Sequence, residues 1–126
     1  MENNEALIKR EQPYSEMAEQ SVIGSMLLDR EVIGDVADVL VKEDFLNNRC
    51  AVLYENMVEL AAEGKAVDLV TLSNKLKSKN IPDIVNDLSY MKEIIMNVPT
   101  SANAKQYAKI VKDKSTLRRF IKLTEE

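Results

Sequence analysis

The residues of this 126-residue sequence whose types could do chemistry fall into a few sets. Asp35 with Asp38, and Glu59 with Glu63, stand one helical turn apart, the spacing that could aim two carboxylates at a divalent cation. Cys50 is the only thiol. Lys105, Lys109, Lys112, Lys114, Arg118, Arg119 and Lys122 crowd the end of the chain and could meet phosphate. Each set also has a plainer reading. A solvated helix face produces the same carboxylate spacing, and that reading is preferred. A single cysteine excludes an internal disulfide. The sequence has no histidine. That removes Ser-His-Asp triads, His general bases and the zinc sites that need imidazole. Serine and threonine hydroxyls therefore have no base to activate them. The glycines, Gly24, Gly34 and Gly64, lie too far apart for a phosphate-cradling loop. No catalytic residue, cofactor-binding residue or metal ligand is assigned.

The cations need a closer reading because the whole sequence is acidic, with a formal charge of −4. Up to residue 101 there are 10 basic and 18 acidic side chains; from residue 102 onward there are 7 and 3. A phosphate-reading surface would gather its cations on one face. Here they point in several directions round a helix, and the acidic remainder repels DNA. Weak or absent DNA binding is expected. A stand-alone helical nucleic-acid-binding regulator, using the basic C-terminal helix, is the alternative.

Aromatic residues are few, and Gly and Pro number three each, a mix that favours helices over sheets. No apolar run approaches the ~20 residues that span a bilayer. A soluble, intracellular protein is expected. Residues 1–12 read as a flexible tail. Pro13 forces an extended entry, and Ser15 caps a first helix to about Leu28, with Ala18, Val22, Ile23, Met26 and Leu27 on its apolar stripes. Gly24 in its middle is either a tolerated glycine or a point of close helix approach. A short second helix turns Val32, Ile33, Val36, Ala37 and Leu40 inward. Asn47 or Asn48 caps a third, whose stripe is Cys50, Leu53, Tyr54, Met57, Val58 and Ala61, with Gly64 as its C-terminal stop. Cys50 lies on that stripe and reads as a small buried hydrophobe. Asp68 caps a fourth helix that carries Leu69, Leu72 and Leu76 and ends at Pro82. A fifth turns Leu88, Met91, Ile95 and Val98 inward and ends at Pro99. Thr100 or Ser101 caps the last helix, with Tyr107, Ile110, Leu117 and Ile121 on one seam and Ala104, Ala108 and Val111 beside it. The expected fold is an all-α bundle of about five short helices plus one long C-terminal helix. There is no internal repeat.

Three stretches together resemble the N-terminal domain of the bacterial DnaB-type replicative helicases. "PYSEMAEQSVIGSMLLD" carries the family's proline, spacer, A-E-Q, apolar pair and glycine as Pro13, Ala18, Glu19, Gln20, Val22, Ile23 and Gly24. "VDLVTL" at 67–72 is similar to its fourth-helix entry. "VPTSANAKQYAKIVKDKSTLRRFI" is similar to its long connecting helix through Pro99, Thr100, Asn103, Tyr107, Ala108, Ile110, Val111, Lys114, Leu117, Arg118 and Arg119. The resemblance covers about residues 13–124, and its last part is the most specific. One departure is "VNDLSY", where the family often has Gly-Gly. Asn86 and Asp87 can cap a helix or take left-handed backbone there.

The resemblance implies a globular collar domain over 13–99. It also implies that 100–126 begins a helical hairpin whose second helix, linker and RecA-like ATPase domain are not in this sequence. ATP and magnesium would belong to that ATPase domain, in a full-length ATP-dependent replicative DNA helicase. Domains of this kind pair into dimers, three of which form the collar of a hexamer. They dock the C-terminal helicase-binding domain of primase, which couples priming to unwinding in DNA replication. A helicase loader is a further candidate partner, and the expected location is the bacterial cytoplasm at the replication fork. Tyr90 and Ile121 match positions near the family's primase-contact surface. Tyr107, Leu117, Phe120 and Ile121 are the candidates for self-association or hairpin packing.

Overall fold

α1 (Glu16–Leu28) is the helix round which the others are built. Its sequence places apolar or small residues on nearly every side, and Ala18 through Met26 are buried except Gln20. A helix with so little polar surface has to lie inside. The structure, a computed structural model, describes residues 12–125, so the expected tail over 1–12 lies outside the described residues except for its last position. α2 (Val32–Ala37), α3 (Asn48–Ala62), α4 (Leu69–Ser78), α5 (Leu88–Asn97) and the long α6 (Ala104–Thr124) follow. Turns of 3-10 helix at Lys42–Asp44 and Ser101–Asn103 precede α3 and α6. No strand occurs among the described residues, and the fold is the expected all-α one, five shorter helices and a long last one.

α1 packs chiefly against α6 and α5, and also touches α3. Gly24 explains the α5 approach. A Cβ there would run into the Val98 side chain and lie 3.0 Å from Ile94 Cγ2 and 3.1 Å from its carbonyl oxygen. Glycine is thus the residue that lets these backbones meet.

Local chemistry sets the helix ends. Ser15 accepts a hydrogen bond from the Ala18 N–H (3.1 Å) and Asn47 from the Cys50 N–H (3.1 Å). Asp68 and Thr71 bond reciprocally, at 2.9 and 3.0 Å, at the start of α4. Asp87, in the "VNDLSY" departure, caps α5 through the Ser89 and Tyr90 N–H groups. α3 ends on Gly64 at φ 73°, with Lys65 N–H donating to the Leu60 carbonyl and Gly64 N–H to that of Ala61. The Arg30 guanidinium adds bonds to the carbonyls of Ala61 and Lys65. α4 ends by the same paired-bond motif, on Asn80 at φ 58°. The stop is therefore Asn80 and not Pro82, because asparagine tolerates the left-handed conformation that terminates a helix.

The core joins Val22, Ile23 and Met26 of α1 to Leu53, Met57 and Leu60 of α3, to Leu72 and Leu76 of α4 and to Met91 and Ile94 of α5. Three inward assignments shift. Leu60 is buried where Val58 and Ala61 were expected, and those two are half-buried. On α5, Ile94 takes the place of Leu88, which is exposed, and Ile95 and Val98 are half-buried. Ala37 is exposed because α2 ends there.

Candidate interaction surface

α6 has two apolar stripes, and the fold uses the one with small side chains. Ala104, Ala108, Val111 and Ser115 are buried, at the 4-3-4 spacing of a single seam. Small residues let α6 lie close to α1, as Gly24 does for α5. Ile110, Leu117 and Ile121, read with Tyr107 as the other seam, are exposed about 120° round the helix from it. Tyr107 lies between the stripes, half-buried against the core.

Three of the seven basic side chains of α6, Lys112, Arg118 and Arg119, reach Asp44. This residue closes the 3-10 turn before α3 and is 1% exposed. Its carboxylate accepts from the Val41 N–H (2.8 Å), the Ser115 hydroxyl (2.7 Å), the Lys112 ammonium (3.3 Å) and Arg119 Nη2 (3.4 Å). Its carbonyl oxygen accepts from Arg118 Nη2 at 2.7 Å, while Arg118 Nη1 donates to the Pro13 carbonyl at 2.8 Å. Burial pushes the Asp44 carboxyl up, but hydrogen bonds from Val41, Ser115 and Lys112 outweigh it and hold the group below the ordinary aspartate value.

A second buried carboxylate lies close by in the fold. Glu19, the acid of the A-E-Q motif, is 1% exposed, and its two oxygens accept from the Leu46 and Asn47 N–H groups, each at 2.9 Å. It caps the start of α3 from α1, in addition to lying in its own helix's first turn. Burial raises its pKa, and those two N–H groups and the Arg118 charge only partly offset that.

Tyr90 belongs to a different cluster. Its hydroxyl meets Gln20 Nε2 at 3.5 Å and the Cys50 sulfur at 3.7 Å, and the Arg49 guanidinium lies 3.7 Å from its ring centroid. Burial pushes the Cys50 thiol up to about 12, so it is inert and packs as the expected small hydrophobe. Tyr90 itself is half-buried.

What α6 leaves outside is apolar. Leu117 is 48% exposed, Phe120 64% and Ile121 38%, with Leu123 more exposed still. Leu117, Phe120 and Ile121 share one side of the last turns, so the structure brings three of the four self-association candidates together. Tyr107 stands apart on the core side, and Tyr90 lies in the Arg49–Cys50 cluster rather than with Ile121. Asp44 and Ser115 were not singled out from the sequence, and Glu19 was read only as part of the A-E-Q motif and its helix's first turn. Among the described residues no group of three His, Cys, Asp or Glu could hold a metal ion, and no helix is long and apolar enough to cross a membrane.

α6 thus combines a buried seam of small residues, an ionic anchor and a bare apolar strip. The family model described as the DnaB-like helicase N terminal domain matches residues 11–113. The chain belongs to this family. Among curated relatives, the replicative DNA helicase DnaC of Bacillus subtilis (strain 168) is 37% identical over 87% of this chain and 24% of its own length. The replicative DNA helicase DnaB of Geobacillus stearothermophilus is 35% identical over 94% of this chain and 26% of its own. The chain thus spans about a quarter of these relatives. The crystal structure of the N-terminal domain of DnaB helicase from Mycobacterium tuberculosis superposes with a TM-score of 0.85 at 35% identity, covering 89% of this chain and 81% of that one. Glu19, which carries the A-E-Q resemblance, bonds the start of α3, and Arg118 and Arg119 bond Asp44.

Proposed function

We propose that this DnaB-like N-terminal domain is the assembly and docking part of a replicative DNA helicase. In this reading residues 13–99 are the collar domain and 100–126 begin the long helix that leads toward the motor. Copies of the domain pair, and three pairs make the collar of a hexamer. The collar binds the C-terminal helicase-binding domain of primase, and a helicase loader is a further candidate. ATP and magnesium are assigned to the motor region of the longer relatives, because no glycine here stands in a nucleotide-binding loop. A cytoplasmic place at the replication fork goes with this reading.

The observation that carries it is the exposed strip of Leu117, Phe120 and Ile121 on a helix whose other side is anchored. Such a strip seeks cover. The same anchor weighs against the nucleic-acid-binding alternative, since Lys112, Arg118 and Arg119 already meet partners within the domain. Capture of the cognate primase C-terminal domain tests the proposal. Tyr90→Ala and Ile121→Ala should each weaken capture roughly tenfold with helicity unchanged. Normal binding by both variants would remove these two residues from the contact surface. A tight, steeply salt-dependent isotherm with single-stranded DNA would instead favour the regulator reading.

A further inference from the structure

We propose that Asp44 is a latch that fixes the direction in which the outer half of α6 leaves the fold. The burial pattern of α6 points to this. Its apolar hold on the domain is made by Ala104, Ala108 and Val111 with the half-buried Tyr107, all in its inner half, and Ser115 is its last buried residue. Alanine and valine bury little area, and they interlock poorly with a neighbouring helix. From Thr116 to Glu125 every side chain is exposed except the half-buried Arg118. Among the described residues, the side-chain hydrogen bonds from that outer half to the rest of the fold converge on Asp44 and the Pro13 carbonyl.

The fixed side of the latch is firmly held. The Val41 N–H bonds the Asp44 carboxylate, the Tyr54 hydroxyl donates to the Leu40 carbonyl at 2.7 Å, and the Phe45 and Tyr54 rings lie 5.0 Å apart. The turn that carries Asp44 is therefore pinned to α3, on both sides of the carboxylate. The moving side is one helix face, with Ser115 and Arg118 one turn apart on it. Releasing these bonds leaves α6 attached through its small-residue seam, about which the outer half can pivot. The latch thereby sets where the Leu117–Ile121 strip points. This holds whichever partner the strip meets, so it does not rest on the primase reading.

A distance measurement tests it. Spin labels are placed on Val70→Cys in α4 and Lys122→Cys in α6, both exposed positions, in a Cys50→Ala background. Labelled protein is diluted into unlabelled protein, so that only distances within one chain are read. The parent is expected to give one narrow distance distribution. Asp44→Asn should broaden it roughly twofold, as expected of a released hinge, with amide-exchange protection in α1 and α3 retained. The triple variant Ser115→Ala, Arg118→Gln, Arg119→Gln, which strips the latch from its other side, should do the same. An unchanged distribution in both variants overturns the proposal. So does loss of α1 and α3 protection in both, because Asp44 would then hold the whole fold and not the helix direction.

Discussion

α1 and α6 pack against each other, yet they are held by opposite means. α1 is enclosed by apolar neighbours on nearly all sides and approaches α5 at Gly24 with no room to spare. α6 is buried along one narrow seam and is then tied down by a carboxylate. Dense packing resists any change of volume and is indifferent to salt. A polar anchor tolerates changes of volume but depends on charge, and it can be undone without emptying a core. Together the two kinds of hold let a domain keep its shape while one helix remains adjustable, and here each has its own helix.

The largest effect should come from breaking the close-packed side. Gly24→Val places a Cβ and two methyl groups against Val98 and the Ile94 backbone. We expect a loss of about 3 kcal/mol or more, read as a lower urea midpoint. The control is Gly34→Ala, where an added Cβ meets nothing within 4 Å. That variant should gain about 0.5–1 kcal/mol from helix propensity. Equal effects at the two glycines would mean that Gly24 is merely tolerated, the reading that the sequence left open.

Next comes the polar anchor. Asp44→Ala strands the Ser115 hydroxyl and leaves Lys112 and Arg119 without their counter-charge. Both cations stay partly in water, so the loss should be smaller than for a wholly buried pair, about 2–3 kcal/mol. A double-mutant cycle with Ser115→Ala should show strong coupling between the two sites. Additive losses would mean that the hydroxyl and the carboxylate act separately.

Acid sharpens the comparison, because each helix depends on its own buried carboxylate and the two shift in opposite directions. Asp44 titrates below the ordinary 3.8, so its contribution is complete above that pH and is lost as pH falls through its lowered folded value. Glu19 titrates above the ordinary 4.5, so protonation favours the fold; that contribution is complete below 4.5 and is lost as pH rises through the raised value. The groups facing Asp44 are Ser115, Lys112 and Arg119 of α6, with Tyr54 of α3 nearby; Glu19 faces Arg118 and Glu16. Relative to the parent, the deficit of Asp44→Asn should therefore shrink on acidification, and that of Glu19→Gln should grow. Urea midpoints taken from about pH 6 to pH 3 check this. Deficits that move in the same direction would show that one carboxylate has the wrong sign.

How much of this was legible in the sequence follows the same division. α3 could be read almost completely, because Asn47, an apolar stripe and Gly64 all specify the same helix. α5 was read one position off. Ile94 and Ile95 offer two equally apolar registers, and only contact with Gly24 selects Ile94. On α6 two seams were read side by side, Tyr107, Ile110, Leu117 and Ile121 on one and Ala104, Ala108 and Val111 on the other, and close approach to α1 selects the alanines. Asp44 could not be found at all. Its decisive partner, Ser115, is 71 residues away, and no local pattern marks a carboxylate that will be buried by a distant helix. The outer strip was foreseen through its likeness to a family, since apolar residues at helical spacing say equally well that a face is buried or bare.

The smallest effect on stability should come from that strip, and it separates the two helices most cleanly. On α1 a large core side chain such as Met26 is wholly buried, and its truncation to alanine should cost about 2–5 kcal/mol. On α6 Leu117 is about half exposed, and Leu117→Ala should change stability by no more than about 0.5 kcal/mol. The two variants should exchange ranks when association is measured. Sedimentation of the unmutated domain is expected to show a concentration-dependent species above the monomer, because Leu117, Phe120 and Ile121 lie together and uncovered. Leu117→Ala with Ile121→Ala should abolish that species while the urea midpoint hardly moves. A strictly monomeric parent at high concentration would show that this strip alone does not bring two copies together. A double variant that still associates would place the self-contact on another face. Either result would leave α6 an anchored helix with no part in pairing, and the division between a core-building helix and a presenting helix would fail at its second term.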